Sequence, residues 1–273
     1  MSAQRSMLVT GGAQGLGRAI ACAAAAVGYR VGVIDVHVDV HGDVDGHVVG
    51  DVEQTDHPAD TGSDLISTFS ASVADEVAVE AILDAFGTPD VVVNNAGIVR
   101  FGPLVDIDAA DFRAVVDVNL VGTFLVARAV ARRWIASGRP GCVVNLTSMN
   151  GVAAGPNAGA YGASKAAVGL LTSQMALEWG PSGIRVNAVA PGLIDAGMSA
   201  PIYADPATRE ARESKVPLGR LGTAADISDV VLYLASDQAA YIHGQNIVVD
   251  GGVTGSVIAH LPRPAAVDSV GHR

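Results

Sequence analysis

The stretch Thr10-Gly11-Gly12-Ala13-Gln14-Gly15-Leu16-Gly17 joins a short apolar run, Met7-Leu8-Val9, to the alanine-rich residues 17–27. A strand, a glycine-rich turn and a helix in that order form the first half of a βαβ unit. Glycine lets the backbone turn sharply and approach a bound group closely. The helix start offers unpaired N–H groups and the positive end of its dipole, a seat suited to a pyrophosphate. The spacing is G-x-x-x-G-x-G rather than the commoner G-x-G-x-x-G, and an ordinary tight turn also uses glycines. Asp35 ends the second apolar run, about 20 residues on, where a carboxylate can accept from adenosine ribose hydroxyls.

Outward from this turn the same pattern repeats. Val31-Gly32-Val33-Ile34, Val91-Val92-Val93, Cys142-Val143-Val144, Val186-Asn187-Ala188-Val189 and Ile247-Val248-Val249 read as buried strands. Between them lie helix candidates at 17–27, 76–86, 109–137, 160–179 and 224–236. The alternation predicts an α/β fold, a single-domain Rossmann-like doubly wound parallel sheet with helices on both faces, over residues 1–252. Residues 36–67, rich in Asp, His, Gly and Val, show no helical period and read as irregular. So do residues 253–273, with Pro262 and Pro264, which read as a C-terminal extension.

Composition narrows the class. The chain has 273 residues, is 49% hydrophobic and carries a net charge of −11. That is enough apolar material for a sizeable core. The acidity argues against nucleic acid or an anionic membrane as partner, since both need clustered Lys and Arg. Cys22 and Cys142 form no CxxC pair, and no His/Cys cluster has metal-ligand spacing, so no metal is expected. A reduced, cytoplasmic protein fits. The longest apolar stretch seen in the sequence, residues 20–27, is well short of the ~20 residues of a membrane span.

Tyr161-Gly162-Ala163-Ser164-Lys165 places a phenol and an ammonium four residues apart, on one face of a helix. A free phenol, with a pKa of about 10, is a poor base near neutrality. A neighbouring ammonium favours the phenolate and would let it exchange a proton with a hydroxyl. Alone, such a pair is more often ordinary helix surface. Ser148 follows the run 142–145, at the sheet edge where such folds bind ligands, though a lone Ser there is usually a cap. Asn94-Asn95-Ala96-Gly97 follows another strand, where Asn and Gly are common turn residues.

Taken together and in this order, these motifs resemble the short-chain dehydrogenase/reductase family, in its compact single-domain branch. The resemblance covers about residues 7–252 and rests on Thr10 to Gly17, Asn94 to Gly97, Asn119, Ser148, Tyr161 with Lys165, and Pro191-Gly192. It implies a sheet of about seven strands and a catalytic tetrad. Tyr161 would exchange the proton and Ser148 would hold the substrate oxygen. Lys165 would bind the nicotinamide ribose and lower the phenol pKa, and Asn119 would hold a water linking Lys165 to solvent. The cofactor would be NAD. Its contacts would be Gly11, Gln14, Gly15, Leu16, Gly17, Asp35, Asn94, Ala96, Gly97, Tyr161, Lys165, Pro191, Gly192 and Ile194. The adenine contact would be Ser72 and Val73, with Asp51-Val52 as the rival. Ala196 stands where the family usually has Thr. A homotetramer is implied, acting on a small alcohol or ketone.

The substrate pocket is expected from Met149, Asn150 and Ala153, from Arg100 and Phe101, and from a lid over about 195–218. The rival reading in another class is a non-catalytic NAD-sensing protein on the same fold. An epimerase or dehydratase that retains its NAD is a further possibility among enzymes.

Overall fold

The short β-branched runs and the alanine-rich stretches between them fold into one sheet covered by helices on both faces. The structure is a computed structural model and describes residues 4–37, 49–50 and 65–256. In chain order the elements are β1 (Ser6–Thr10), α1 (Gly15–Ala26), β2 (Arg30–Asp35), β3 (Val49–Gly50), β4 (Ile66–Ser70), α2 (Glu76–Phe86) and β5 (Val91–Asn94). Then come α3 (Ala109–Val116), α4 (Thr123–Ser137), β6 (Gly141–Leu146), α5 (Tyr161–Trp179) and β7 (Ile184–Pro191). The last are α6 (Ala200–Tyr203), α7 (Pro206–Glu213), α8 (Ala224–Ala235) and β8 (Asn246–Val249). The sheet order is β3-β4-β2-β1-β5-β6-β7-β8. Seven of these strands run parallel, and the two-residue β3 lies antiparallel to β4 at the edge.

Strand alternation divides the core into two layers. Met7, Val9, Val31, Val33, Val91 and Val144 pack with Ile20 and Ala24 of α1 and Ile227, Val231 and Leu234 of α8. Leu8, Ile34, Val92 and Val143 face the other way, against α2, α4 and α5 through Leu83, Val130, Trp134 and Met175. Successive strand side chains point to opposite faces, so a strand buried on both sides must be apolar throughout, as β1 and β5 nearly are. Each fully buried Leu or Ile contributes about 1.5–3 kcal/mol, well above the 0–1 kcal/mol of an exposed ion pair. The fold therefore rests on these layers and not on its surface salt bridges.

Three expectations need correction. The helix expected at 109–137 is interrupted by a π-helical turn, Asp117–Gly122. The Thr123 hydroxyl donates to the Asn119 carbonyl at 2.8 Å, and Gly122 presses on Val73, leaving no room for a Cβ. Among the described residues, continuous helical backbone Ala109–Ser137, and not 20–27, is the segment long and apolar enough by composition to cross a membrane. Half of its most apolar window is buried inside the fold, as in a core helix. The irregular stretch 36–67 ends earlier than expected, because β4 begins at Ile66 and pairs in parallel with β2. Asp51-Val52 and most of the C-terminal extension lie outside the described residues.

Candidate active site

β1 and β5 are neighbours, but the chain leaves them towards opposite halves of the sheet. A crevice opens at the carboxyl ends of two such strands, where doubly wound sheets bind ligands. The glycine-rich turn fills one wall of it. Gly11 has φ +63°, and a Cβ there would fall 2.8 Å from the Ala96 Cα; one on Gly17 would fall 2.0 Å from the Gly11 carbonyl oxygen. The chain's own close approaches thus already require these glycines. Asn95 holds the turn in place: its Nδ2 donates to the Thr10 and Gly11 carbonyls at 3.0 and 2.9 Å. In return the Thr10 hydroxyl accepts from the Asn95 and Ala96 N–H groups, both at 3.0 Å. Asn95 belongs to the Asn94–Gly97 motif, and its hold on the turn is a contact across 84 and 85 sequence positions that the motif alone does not announce.

Helix starts differ, and α1 is among those without a side-chain cap, as are α4, α5 and α6. Asp75, Asp108 and Thr223 cap α2, α3 and α8 with side-chain oxygens on first-turn N–H groups. α1 starts on Gln14, which makes no such bond, and its first turn holds no acidic residue. Its first N–H groups and dipole end, at Gly15, Leu16 and Gly17, are therefore suited to an external anion.

The end of β2 borders the glycine-rich turn. The Asp35 carboxylate is buried and accepts from Ala13 N at 3.0 Å and His37 N at 3.1 Å. Both bonds fix it beside the turn. Ser72 and Val73 follow β4, the strand next to β2, and Ala71 N donates to the Asp35 carbonyl at 3.0 Å. Val73 is buried in the α2/α4 layer. Pro191 ends β7, Gly192 packs on Asp250, and Ile194 bridges to Gly222 at the far side of the crevice. The Asn94 side chain turns away from the crevice: its Nδ2 donates to Asn145 Oδ1 at 2.9 Å, inside the sheet.

Ser148, Tyr161 and Lys165 meet between β6 and α5. The Ser148 hydroxyl, which accepts from Asn150 N at 3.1 Å, lies close enough to the Tyr161 phenol to favour its ionised form. Lys165 Nζ lies 5.8 Å from the Tyr161 ring centre and donates to the Leu146 carbonyl at 2.7 Å. Gly97 is packed between Lys165 and Asn119, since a Cβ there would sit 3.4 Å from Nζ and 3.2 Å from Asn119 Oδ1. Asn119 is fully buried, and its side chain is committed to the protein itself. Oδ1 accepts from Ile98 N at 2.8 Å, and Nδ2 donates to the Ile98 carbonyl and to Ser164 Oγ, both at 3.0 Å. With both amide donors engaged, the side chain serves as framework for the 94–98 loop.

Burial moves the two titrating groups in opposite directions. It pulls the Lys165 ammonium down to about 8 and pushes the Tyr161 phenol above its ordinary value, against which Ser148 pulls it back in part. Desolvation is the largest influence on the phenol. Among the described residues no group of three His, Cys, Asp or Glu side chains could hold a metal ion.

With this geometry in view, comparison with known proteins places the chain. The family model described as enoyl-(acyl carrier protein) reductase matches residues 11–254. A 3beta-hydroxysteroid dehydrogenase 1 from Eggerthella lenta is 40% identical over 188 residues, which is 67% of this chain and 72% of that protein. A solved 4-hydroxyisoleucine dehydrogenase complexed with NADH is 30% identical with a TM-score of 0.79, covering 92% of this chain and 99% of the other. ElxO with NADP bound is 26% identical with a TM-score of 0.79, with the same coverage. The chain belongs to the short-chain dehydrogenase/reductase family and is an oxidoreductase of that family.

A buried cation has a measurable consequence. Because the Lys165 pKa is lowered from 10.5 to about 8, the unfolded chain holds this proton more tightly than the folded one between those values. The contribution of Lys165 to stability is unfavourable below pH 8 and is relieved as pH rises towards 10.5. The melting temperature of Lys165→Met, relative to the unsubstituted protein, should therefore fall as pH is raised from 7 to 10. A difference that does not change with pH across that range would contradict the burial argument.

Proposed function

We propose that this protein is an NAD(H)-dependent dehydrogenase/reductase for a small secondary alcohol or its ketone, with Tyr161 as general acid/base. The observation that carries the reading is the meeting of Tyr161, Ser148 and Lys165 at the carboxyl edge of the sheet, beside an uncapped helix start. NAD, when bound, supplies or takes up the hydride. Gly11, Gln14, Gly15, Leu16 and Gly17 would hold its pyrophosphate, Asp35 its adenosine ribose, and Ser72 and Val73 its adenine. Ala96, Gly97, Pro191, Gly192 and Ile194 would bound the nicotinamide half, with Asn94 acting through the sheet. Lys165 would hold the nicotinamide ribose with the donors it does not spend on Leu146.

The proton chemistry is derived from the chain's own groups. In oxidation the Tyr161 phenolate takes the hydroxyl proton; in reduction the neutral phenol returns a proton to the carbonyl oxygen. Ser148, beside the phenol, would steer that oxygen towards it. Burial keeps Tyr161 protonated near neutral pH, which favours the reductive direction there and makes oxidation speed up as pH rises. No observation favours the non-catalytic reading.

The preference for NAD over NADP rests on Asp35. Its fixed, buried carboxylate would accept from a ribose 2′-hydroxyl and repel a 2′-phosphate in a partly dry site. Such repulsion is worth on the order of 2–4 kcal/mol, so kcat/KM should favour NAD by about 30-fold or more. The test is a panel of secondary alcohols, cyclic alcohols, sugars and hydroxyacyl thioesters, assayed with each cofactor. Asp35→Ala should narrow the gap. Equal efficiency with both cofactors in the unsubstituted enzyme would overturn the assignment.

By resemblance the protein is also proposed to be a cytoplasmic homotetramer whose catalytic domain spans residues 1–252. Leu170 and Leu177 on α5 are 74% and 81% exposed, and Phe112, Phe124 and Ile135 add apolar surface on α3 and α4. Apolar surface of this kind, repeated along helices, suits an interface between copies. Light scattering at micromolar concentration should give four chains, and a single-chain mass would contradict it.

A further inference from the structure

Ser164 lies between two residues of the site, and the chemistry above gives it no task. It is buried on α5, next to Lys165 in sequence. Its hydroxyl donates to the Tyr161 carbonyl at 2.7 Å, three residues back. A serine that bonds back along its own helix in this way is common and by itself means little. The second bond is different in kind. Asn119 Nδ2 donates to the same oxygen at 3.0 Å from a separate helical segment, 45 residues away in sequence. Since the hydroxyl's one proton goes to Tyr161, its oxygen is left to accept from Asn119, and the three groups form a directed chain.

Beyond Asn119 the chain continues to the cofactor side of the crevice. The other amide donor and the amide oxygen grip both backbone groups of Ile98. Gly97, one residue earlier, lies against both the Lys165 ammonium and that amide. We propose that Ser164 is a positioning residue: its hydroxyl locks the helix that carries Tyr161 and Lys165 to the 94–98 loop that walls the Lys165 ammonium. This rests on the reading of Tyr161 and Lys165 given above.

Removing the hydroxyl leaves an Asn119 N–H without an acceptor in a fully buried place. A buried donor does not stay unpaired cheaply. The amide must turn or shift to find another acceptor, and Ile98 and Gly97 move with it. Lys165 then loses its fixed distance to the phenol while keeping its Leu146 bond. Ser164→Ala deletes one atom and places a better helix former on α5, so folding is retained.

The experiment has three readings on Ser164→Ala. The acid limb of the kcat profile for alcohol oxidation should move to higher pH by about half a unit, with kcat near neutrality down about tenfold and the KM for NAD changed much less. Backbone hydrogen exchange, measured on the ligand-free protein, should rise at 95–99 and stay unchanged in β1 and β6. In an Asn119→Ala background, Ser164→Ala should add little, because the two act through one bond. A variant whose pH limb and 95–99 exchange match the unsubstituted protein overturns the proposal. So does a kcat loss of equal size in both backgrounds. If the unsubstituted protein oxidises nothing with NAD or NADP, the proposed function fails, and the exchange reading still decides whether Ser164 holds the loop.

Discussion

The site is arranged around one awkward requirement, an ammonium buried between the end of β6 and α5. Lys165 is almost wholly enclosed, and desolvation alone draws its pKa down to about 8. A charge in such a place must be met by oriented dipoles or be neutralised. The Leu146 carbonyl, at the very end of β6, meets it at 2.7 Å. The Tyr161 ring stands on its other side. Gly97 brings the 94–98 loop close against it, where an added Cβ would sit 3.4 Å from Nζ and only 3.2 Å from Asn119 Oδ1. The same groups that tolerate the cation also fix its position, so the cost of burial and the geometry of the site come from one arrangement.

Rigidity behind the site comes from polar groups inside the sheet. Asn94 bonds to Asn145, Asn145 to Thr172 at 2.8 Å, and Thr172 back to the Val168 carbonyl at 2.8 Å. This links β5, β6 and α5 through a core that is otherwise apolar. Fully paired buried networks fix a unique geometry, whereas partly paired ones are costly. Asn94 Oδ1 is the buried atom of this network with no partner in the described structure. On the other side of the crevice, Asn95 ties β5 to the turn after β1. Two adjacent asparagines thus face opposite ways, one into the sheet and one onto the glycine-rich turn, and together they set the width of the crevice.

How much of this the sequence revealed depends on range. α2 runs over Glu76–Phe86, as its pattern suggests, because Asp75 caps it and Val79, Leu83 and Phe86 mark one face locally. The pairing of Tyr161 with Lys165 is likewise a matter of four residues on a helix. β4 was harder, since Ile66-Ser67-Thr68-Phe69-Ser70 is half polar and owes its strand to pairing with β2. The π turn at Asp117–Gly122 depends on Val73 and Thr123, and no periodicity within 109–137 announces it. Gly15 faces Gly197, 182 residues apart by position number, so closely that a Cβ on Gly15 would lie 2.6 Å from the Gly197 Cα. Contacts of that kind, and the commitment of Asn119 to Ile98 and Ser164, belong to tertiary structure. Burial of the phenol, which reverses the expected direction of its pKa, belongs there too.

The proton-transfer role of Tyr161 is tested most directly by Tyr161→Phe, followed in single-turnover stopped-flow with NAD and an alcohol that the unsubstituted enzyme oxidises. The substitution removes one oxygen and leaves Lys165, Asp35 and the glycine-rich turn in place. NADH titration by fluorescence should give nearly the same affinity, while the rate of NADH formation falls by about 100-fold or more, the usual contribution of a positioned acid/base. A variant that binds NADH and still turns over at close to the normal rate would show that the phenol is not the proton carrier.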